Sequence, residues 1–206
     1  MCARFTLDVS MQQLEDTFAL SNRVEITPTW NRAPGAQSPI VIKDRIGFAK
    51  WGLQPAWAKE GRKAPHNARA ETASTKPYFR DAWAKRRCLI PATGFYEWQD
   101  TATGKQPIYF SYPGQVFAFA GLWEQNANHG VTFTILTQAA SGPVAAIHHR
   151  MPVILPPAAY EDWFTGQMNS MNTSTAYLQD ISARPVSRAV NNARNDSAAL
   201  LAENSK

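Results

Sequence analysis

"CLIPATGFYEW" (88–98) is the stretch on which the fold turns. It is a β-rich run, and three more follow at short intervals: "PIYFSY" (107–112), "QVFAFAGLW" (115–123) and "VTFTILT" (131–137). Aromatic and β-branched side chains suit a pleated, half-buried surface, and turn residues separate the runs. Tyr112-Pro113-Gly114-Gln115 fits a tight connection. Upstream, "IVIKDRIGFAKWGL" (40–53) predicts two more strands around a turn at Lys43-Asp44-Arg45. Helical signals lie outside this block. Ser10-Met11-Gln12-Gln13 has the form of a capping box and opens a short helix through about Leu20. "PYFRDAWAKRR" (77–87) carries Pro at its first position, with Phe79, Ala82 and Trp83 at helical spacing. "PPAAYEDWF" (156–164) and "STAYLQDI" (174–181) predict two more short helices. "TPTWNRAPGAQSP" (27–39) is expected to be an ordered loop, 54–76 to be polar and irregular, and "ARNDSAALLAENSK" (193–206) to be a frayed helix and tail. Strands without βαβ alternation, ringed by helices, predict an α+β fold on mainly antiparallel sheet.

The chain has 206 residues, enough for one domain with a real core, and 44% apolar with 18% charged residues is ordinary for a globular protein. Neither a repeat nor a linker is visible, so residues 1–206 read as a single domain, with the tail from about 195 expected to fray. Lys and Arg number 21 against 16 Asp and Glu, a net charge of +5 that is compatible with a polyanionic partner without requiring one. The two cysteines are too few for a disulfide scaffold, and no Cys or His spacing makes a metal site. No charged segment followed by an apolar core opens the chain, and no apolar run approaches the ~20 residues of a membrane span. The expectation is a reducing cytoplasm or nucleoid, where cysteines stay thiols.

Four stretches are rich in chemistry-bearing residues. "MCARF" (1–5) places Cys2 directly after the start methionine. Removal of Met1 would leave a 1,2-aminothiol, whose amine and thiol have ordinary pKa values near ~8 and ~8.5. Such a pair condenses with an aldehyde through a Schiff base and closes to a five-membered thiazolidine, and it can also attack acyl groups. In "HNARAET" (66–72), Asn67, Arg69 and Glu71 alternate and would face one way on an extended segment. "GFYEW" (94–98) sets Glu97 among aromatics, where a raised pKa would suit proton transfer. "IHHRMP" (147–152) offers His148, His149 and Arg150. Each also fits a plain structural role: Arg4 as a surface charge, Asn67 as a turn cap, Arg69 with Glu71 as a surface pair, Glu97 pointing to solvent from an edge. Adjacent histidines point opposite ways in a strand, so at most one would line a given site.

Taken in order, "MCARF", "WNRAPG", "WGLQPAW", "NARAET", "GFYEW", "IHHRMP" and "PVSRAVNN" resemble the SRAP (SOS response-associated peptidase) family, nearly end to end. The resemblance implies a barrel-like core. It implies an abasic-site processing protein whose freed Cys2 forms a thiazolidine crosslink to an abasic site in single-stranded DNA, with Schiff-base chemistry of lyase type and self-processing peptidase activity on Met1. It implies Glu97 as general acid/base, His148 as proton shuttle and Asn67 as orienter. It places Arg4, Arg69 and Arg150 near phosphates, Trp57 against bases, Thr137 as a polar contact, and Pro34 and Gly35 at a groove wall. No cofactor, metal or membrane is implied, and a monomer is expected. Cys88 is expected in the core. Two departures stand out. The family's start is Met-Cys-Gly-Arg, and Ala3 stands at the glycine; Ala58 stands where some members carry a second tryptophan. Ala3 would strain the chain if that position needs a positive φ. Two rival readings use the same start: an N-terminal-nucleophile amidohydrolase, and a non-covalent single-strand-binding module with an inert Cys2.

Overall fold

The computed structural model describes residues 2–59, 61, 63–168 and 175–202. In chain order its elements are β1 (Phe5–Leu7), α1 (Met11–Phe18), β2 (Thr29–Arg32), β3 (Gln37–Ile42), β4 (Arg45–Trp51), β5 (Asn67–Arg69), α2 (Ala70–Ala73), α3 (Arg80–Lys85), β6 (Arg87–Ala92), β7 (Gly94–Thr101), β8 (Gly104–Ser111), β9 (Phe117–Asn126), β10 (Gly130–Ala139), β11 (Arg150–Pro152), β12 (Ile154–Leu155), α4 (Tyr160–Thr165), α5 (Thr175–Gln179) and β13 (Ser182–Pro185). The fold is mainly β with a few short helices.

Five strands close on themselves. β3 pairs with β4 and β6, β6 with β9, β9 with β10, and β10 returns to β4. Closure removes the free edges that an open sheet exposes. All the pairings in this ring are antiparallel except the last: β10 runs parallel to β4, and further along parallel to β5. The antiparallel expectation therefore holds for most of the barrel and fails at β10. β11 and β12 extend the sheet from β10 and β9.

A second, antiparallel sheet has the order β13-β8-β7-β1-β2. Its inner face meets the barrel through aromatic edges: Phe5 lies 5.1 Å from Trp51 and 5.8 Å from Phe119, and Phe95 lies 5.9 Å from Phe119. Edge-to-face packing of this kind stabilises beyond area burial alone. The outer face of this sheet is covered by the C-terminal segment, where Val186, Val190 and Leu200 pack on Tyr96 and Tyr109.

The stretch 88–98 is split between the two sheets. β6 belongs to the barrel and β7 to the second sheet, with Thr93 at the crossing, its N–H donating to Thr6 O at 2.9 Å. Gly94 follows because a Cβ there would lie 2.2 Å from the Tyr109 ring.

Other expectations need correction. The loop 27–39 is largely two strands, and its turn signals act only over 33–36, where Gly35 takes a φ of 90°. Pro39 is tolerated inside β3 because the pairing of β3 with β6 is confined to Val41 and Leu89. The segment 54–76 holds β5 and α2, and the strand ends at Arg69, so Glu71 is helical rather than extended. The tail is tied to the fold at Asp196 and Leu200, and 203–206 lie outside the described residues. Asp196 accepts the Thr29 hydroxyl at 2.8 Å and the Trp30 and Asn31 N–H groups at 2.5 and 3.1 Å, and Leu200 is buried. The capping box of α1 forms as expected, with Ser10 accepting from Gln13 N. Among the described residues no helix is long and apolar enough to cross a membrane.

Asn31, in "WNRAPG", ties this tail to β2. Its buried Nδ2 donates to the carbonyls of Val190, Asn192 and Asn195 at 3.1, 3.1 and 2.8 Å. Asn31→Ala strands these carbonyls, and denaturant unfolding is expected to show a loss of about 1–3 kcal/mol.

Candidate active site

The site is assembled around β1. Its position between β2 and β7 pulls the residues before it into the core, so Cys2 is fully buried beside Phe5. Tyr96 N–H donates to Arg4 O at 3.1 Å, which fixes the start of the chain against β7. The Cys2 thiol faces Arg4 O at 3.8 Å.

β7 supplies Glu97. Side chains alternate along a strand, so Glu97 shares the inner face with Phe95 while Tyr96 faces outward. Glu97 is therefore 2% exposed and does not point to solvent. Burial pushes its carboxyl up to about 7. Burial, and next the charge of Glu97, push the Cys2 thiol well above its ordinary value, which keeps it protonated at neutral pH.

β5 supplies Asn67. The strand is held by parallel pairing of Asn67, Ala68 and Arg69 with Ile135, Leu136 and Thr137 of β10. The preceding residue is tied down as well: His66 O accepts from Trp51 Nε1 at 2.8 Å and from Ile135 N at 3.1 Å. From this position Asn67 Nδ2 donates to Cys2 O at 2.7 Å. His148 leaves a 3-10 turn (Gly142–Ala146), its N–H bonding Val144 O at 3.0 Å. Its Nδ1 lies 2.9 Å from Arg150 N and 3.0 Å from Arg150 O, so the Arg150 backbone holds that nitrogen in either tautomer. Burial holds the imidazole below its usual pKa, so the ring is mostly neutral at pH 7. The two histidines do not diverge as strand neighbours would. They lie between the 3-10 turn and β11, and their rings stack at 4.4 Å.

Two clefts are lined by residues next to or bonded to Cys2, which itself lines neither. One, of about 430 Å³, is lined by Ala3, Arg4, Glu97, Trp98, Lys105, His148 and Asn191. The other, of about 600 Å³, is lined by residues that include Trp57, Asn67, Arg69, Lys76, Tyr78 and Thr137. Trp57 is 57% exposed, with its ring edge 5.4 Å from Tyr78. The structure thus brings Glu97, His148 and Arg4 to one cleft, and Asn67, Arg69, Trp57 and Thr137 to the other. Thr137 is fully buried, and its hydroxyl donates to Ala68 O at 3.4 Å. Arg150 lines neither cleft. It forms a two-pronged ion pair with Glu71, so in place of the plain surface pair of Arg69 with Glu71 the carboxylate is met from across β10. Pro34 and Gly35 also line neither cleft.

Ala3 raises no backbone difficulty. Among the described residues only Ala19 and Lys43 carry a positive φ without being glycine. Sequence reasoning missed Lys105, Lys76 and Tyr78. Trp98 and Asn191 stood inside quoted motifs without an assigned role. The Trp98 Nε1 donates to Asn191 Oδ1 at 2.7 Å, which sets the indole along the first cleft. Cys88 is buried in the barrel, as expected.

Known proteins are similar to this chain in sequence and fold. The family model for SOS response associated peptidase (SRAP) matches residues 1–193. The abasic site processing protein YoaM of Bacillus subtilis is 39% identical over 99% of both chains. The abasic site processing protein YedK of Escherichia coli is 29% identical over 98% of this chain and 99% of its own. HMCES of Gallus gallus, also named an abasic site processing protein, is 28% identical over 82% of this chain and 64% of its own. A crystal structure of a protein from Bacteroides thetaiotaomicron superposes with a TM-score of 0.81 at 22% identity, covering 98% of this chain and 99% of that one, which shows the shared fold. On the family match and the identity to YoaM together, the chain belongs to the SRAP family.

Proposed function

We propose that this protein processes abasic sites in single-stranded DNA by forming a covalent crosslink through Cys2 once Met1 is removed, acting as a monomer. The observation that carries the reading is a fully buried Cys2 whose carbonyl accepts from Asn67 and which lies in the field of a buried, proton-holding Glu97, with each of these two residues lining an open cleft. The names of the curated relatives support the choice of lesion.

The chemistry follows in three steps. Hydrolysis of the Met1–Cys2 peptide bond adds one water and frees the Cys2 amine. The amine then attacks the aldehyde of the ring-opened sugar and loses water to form an imine. Finally the thiol sulfur adds to the imine carbon while its proton passes to the imine nitrogen, closing a thiazolidine. A bare Schiff base on that sugar invites β-elimination and strand cleavage, and ring closure prevents it. Glu97 in its acid form donates to the sugar oxygen as the ring opens and to the departing hydroxyl of the carbinolamine. His148, mostly neutral at pH 7 and lining the same cleft as Glu97, carries protons between the amine and solvent. Asn67 holds the Cys2 carbonyl and so orients both nucleophilic groups. A thiol kept protonated by burial makes the amine the first nucleophile, which sets the order of the steps.

The DNA is gripped without reading a base at the lesion. Arg4 on one side and Arg69 on the other supply phosphate contacts, with Lys105 and Lys76 adding charge along the same clefts. Thr137 contributes a polar contact at the floor of the second cleft. Trp57 offers an exposed stacking face. Ala58 provides none, so a single indole serves the flanking bases in this loop.

The deciding experiment incubates the protein with an oligonucleotide carrying one abasic site and resolves the product by denaturing electrophoresis. A shifted band is expected with the wild type and not with Cys2→Ala. Absence of the band in a preparation shown by mass to lack Met1 refutes the reading, and glutaminase activity in its place supports the amidohydrolase alternative. The crosslinking rate is expected to fall as pH rises through about 7, because Glu97 then loses its acid form. Glu97→Gln is expected to be slower and to lack that limb. Trp57→Ala is expected to weaken single-strand affinity by about five- to a hundredfold, the equivalent of roughly 1–3 kcal/mol, in a filter-binding assay.

A further inference from the structure

Trp57 stands on a short turn, 55–58, closed by Ala58 N–H donating to Pro55 O at 2.9 Å. A large ring on such a turn is costly to order on a ligand unless something holds it beforehand. Ala58 gives the turn no second indole to pack on, and the bracing ring comes from another segment. Tyr78 lies in the turn between α2 and α3, with Pro77 before it and Phe79 N–H donating to Lys76 O at 2.9 Å. Its ring meets the Trp57 indole at 5.4 Å and 75°, and the Phe79 ring at 5.3 Å and 67°. Its hydroxyl donates to Leu53 O at 3.1 Å, at the root of the Trp57 turn. The next residue is fixed as well: Gln54 N–H donates to the Thr132 hydroxyl at 3.0 Å, and Gln54 O accepts from Asn126 Nδ2 at 2.6 Å. Tyr78 therefore touches both the root and the tip of the turn. All three rings line the cleft of about 600 Å³ that also holds Asn67, the residue bonded to the Cys2 carbonyl.

We propose that Tyr78 is a positioning residue for the nucleic acid: fastened to the root of the 55–58 turn and packed on its tip, it presets the Trp57 indole over the larger cleft, so that an unpaired base beside the lesion stacks on a surface already in place. This deepens the proposed function and rests on its reading of that cleft as the path of a single strand. Edge-to-face contact is a favoured geometry for aromatic pairs, so the tyrosine fixes the angle of the indole. At 75° it does not stack on the indole, which stays 57% exposed and keeps a face for a base. A side chain held before binding has less freedom to lose on contact. Stacking accepts every base, so the device selects unpaired bases without reading their sequence.

The test is a binding cycle between the two rings. The probe is a single-stranded oligonucleotide with a tetrahydrofuran abasic analogue, which has no aldehyde to react, and 2-aminopurine as its neighbour on one side or the other. Affinity is read by anisotropy of an end label, and stacking by 2-aminopurine quenching at saturating protein. Thermal melting confirms folding. Tyr78→Ala is expected to weaken affinity by about three- to tenfold and to reduce the quenching. In a Trp57→Ala background the same change is expected to alter affinity by less than about twofold, because Tyr78 acts through the indole. Equal losses with and without Trp57 overturn the proposal, since Tyr78 would then contact the strand itself or only support the fold. Unchanged affinity and quenching in Tyr78→Ala overturn it too. Tyr78→Phe keeps the ring and loses the bond to Leu53, and it decides the matter if the alanine variant does not fold. It is expected to weaken binding by about twofold or more with Trp57 present and not in its absence, and no change in either background refutes the brace. If the wild type does not bind the probe, this inference and the function beneath it fall together. If it binds and quenches but gives no crosslink to a natural abasic site, the crosslinking reading falls alone and the cycle still decides the role of Tyr78.

Discussion

Strand β1 has three residues, and the site depends on where it lies. An N-terminal strand at a sheet edge would leave Cys2 exposed and mobile. Here β1 is enclosed between β2 and β7, and Phe5 is wedged between Trp51 and Phe119. That packing anchors a chain terminus that would otherwise fray. Ordering costs conformational entropy at each fixed residue. The apolar contacts of Phe5 and Leu7, both fully buried, offset it. Backbone bonds from Thr93 and Tyr96 to Thr6 and Arg4 then set the register to one position. Cys2 is delivered by the same contacts that hold the second sheet to the barrel, so its location belongs to the core rather than to a loop.

That delivery has an electrostatic consequence. The face of β7 that must bury Phe95 also buries Glu97, two residues on. A carboxyl in such surroundings resists ionisation and keeps its proton to about pH 7. The arrangement opposes stability at higher pH. Between the ordinary carboxylate range and about 7 the unfolded chain has released this proton while the folded chain retains it, so folding weakens as pH rises across that window. A scaffold closed into a barrel and backed by a packed C-terminal segment can carry such a cost.

The local signals in the sequence are the ones the structure repeats. The capping box at Ser10, the turn at Lys43-Asp44 and the turn at 112–115 are settled within a few residues, and each appears as expected. What escaped is non-local. Nothing within 88–98 marks Thr93 as the point where the chain leaves one sheet for another, because the cause is a pairing with Thr6. The parallel contact of β10 with β4 joins residues some 80 positions apart. β11, β12 and β13 have two to four residues each, too few to show a period. The tail read as frayed because its composition is polar, and the bonds of Asp196 to β2 are invisible locally. For the site, residue chemistry alone left Glu97 and Asn67 open between structural and functional roles. The ordered motifs of the resemblance singled them out, and burial then gave them physical meaning.

Arg150 shows how a contact invisible in the local sequence constrains a side chain. In the sequence it is a cation beside a histidine. In the fold an acid 79 residues away on α2 meets it with both oxygens, and the Thr137 carbonyl takes a further bond. Arg69 is exposed at the end of a strand whose first residue bonds the Cys2 carbonyl, and Arg4 follows Cys2 by two positions and lines the cleft that holds Glu97. Different segments hold these two cations near the buried cysteine, so pairing between distant parts of the chain, rather than local sequence, fixes where charge stands around it.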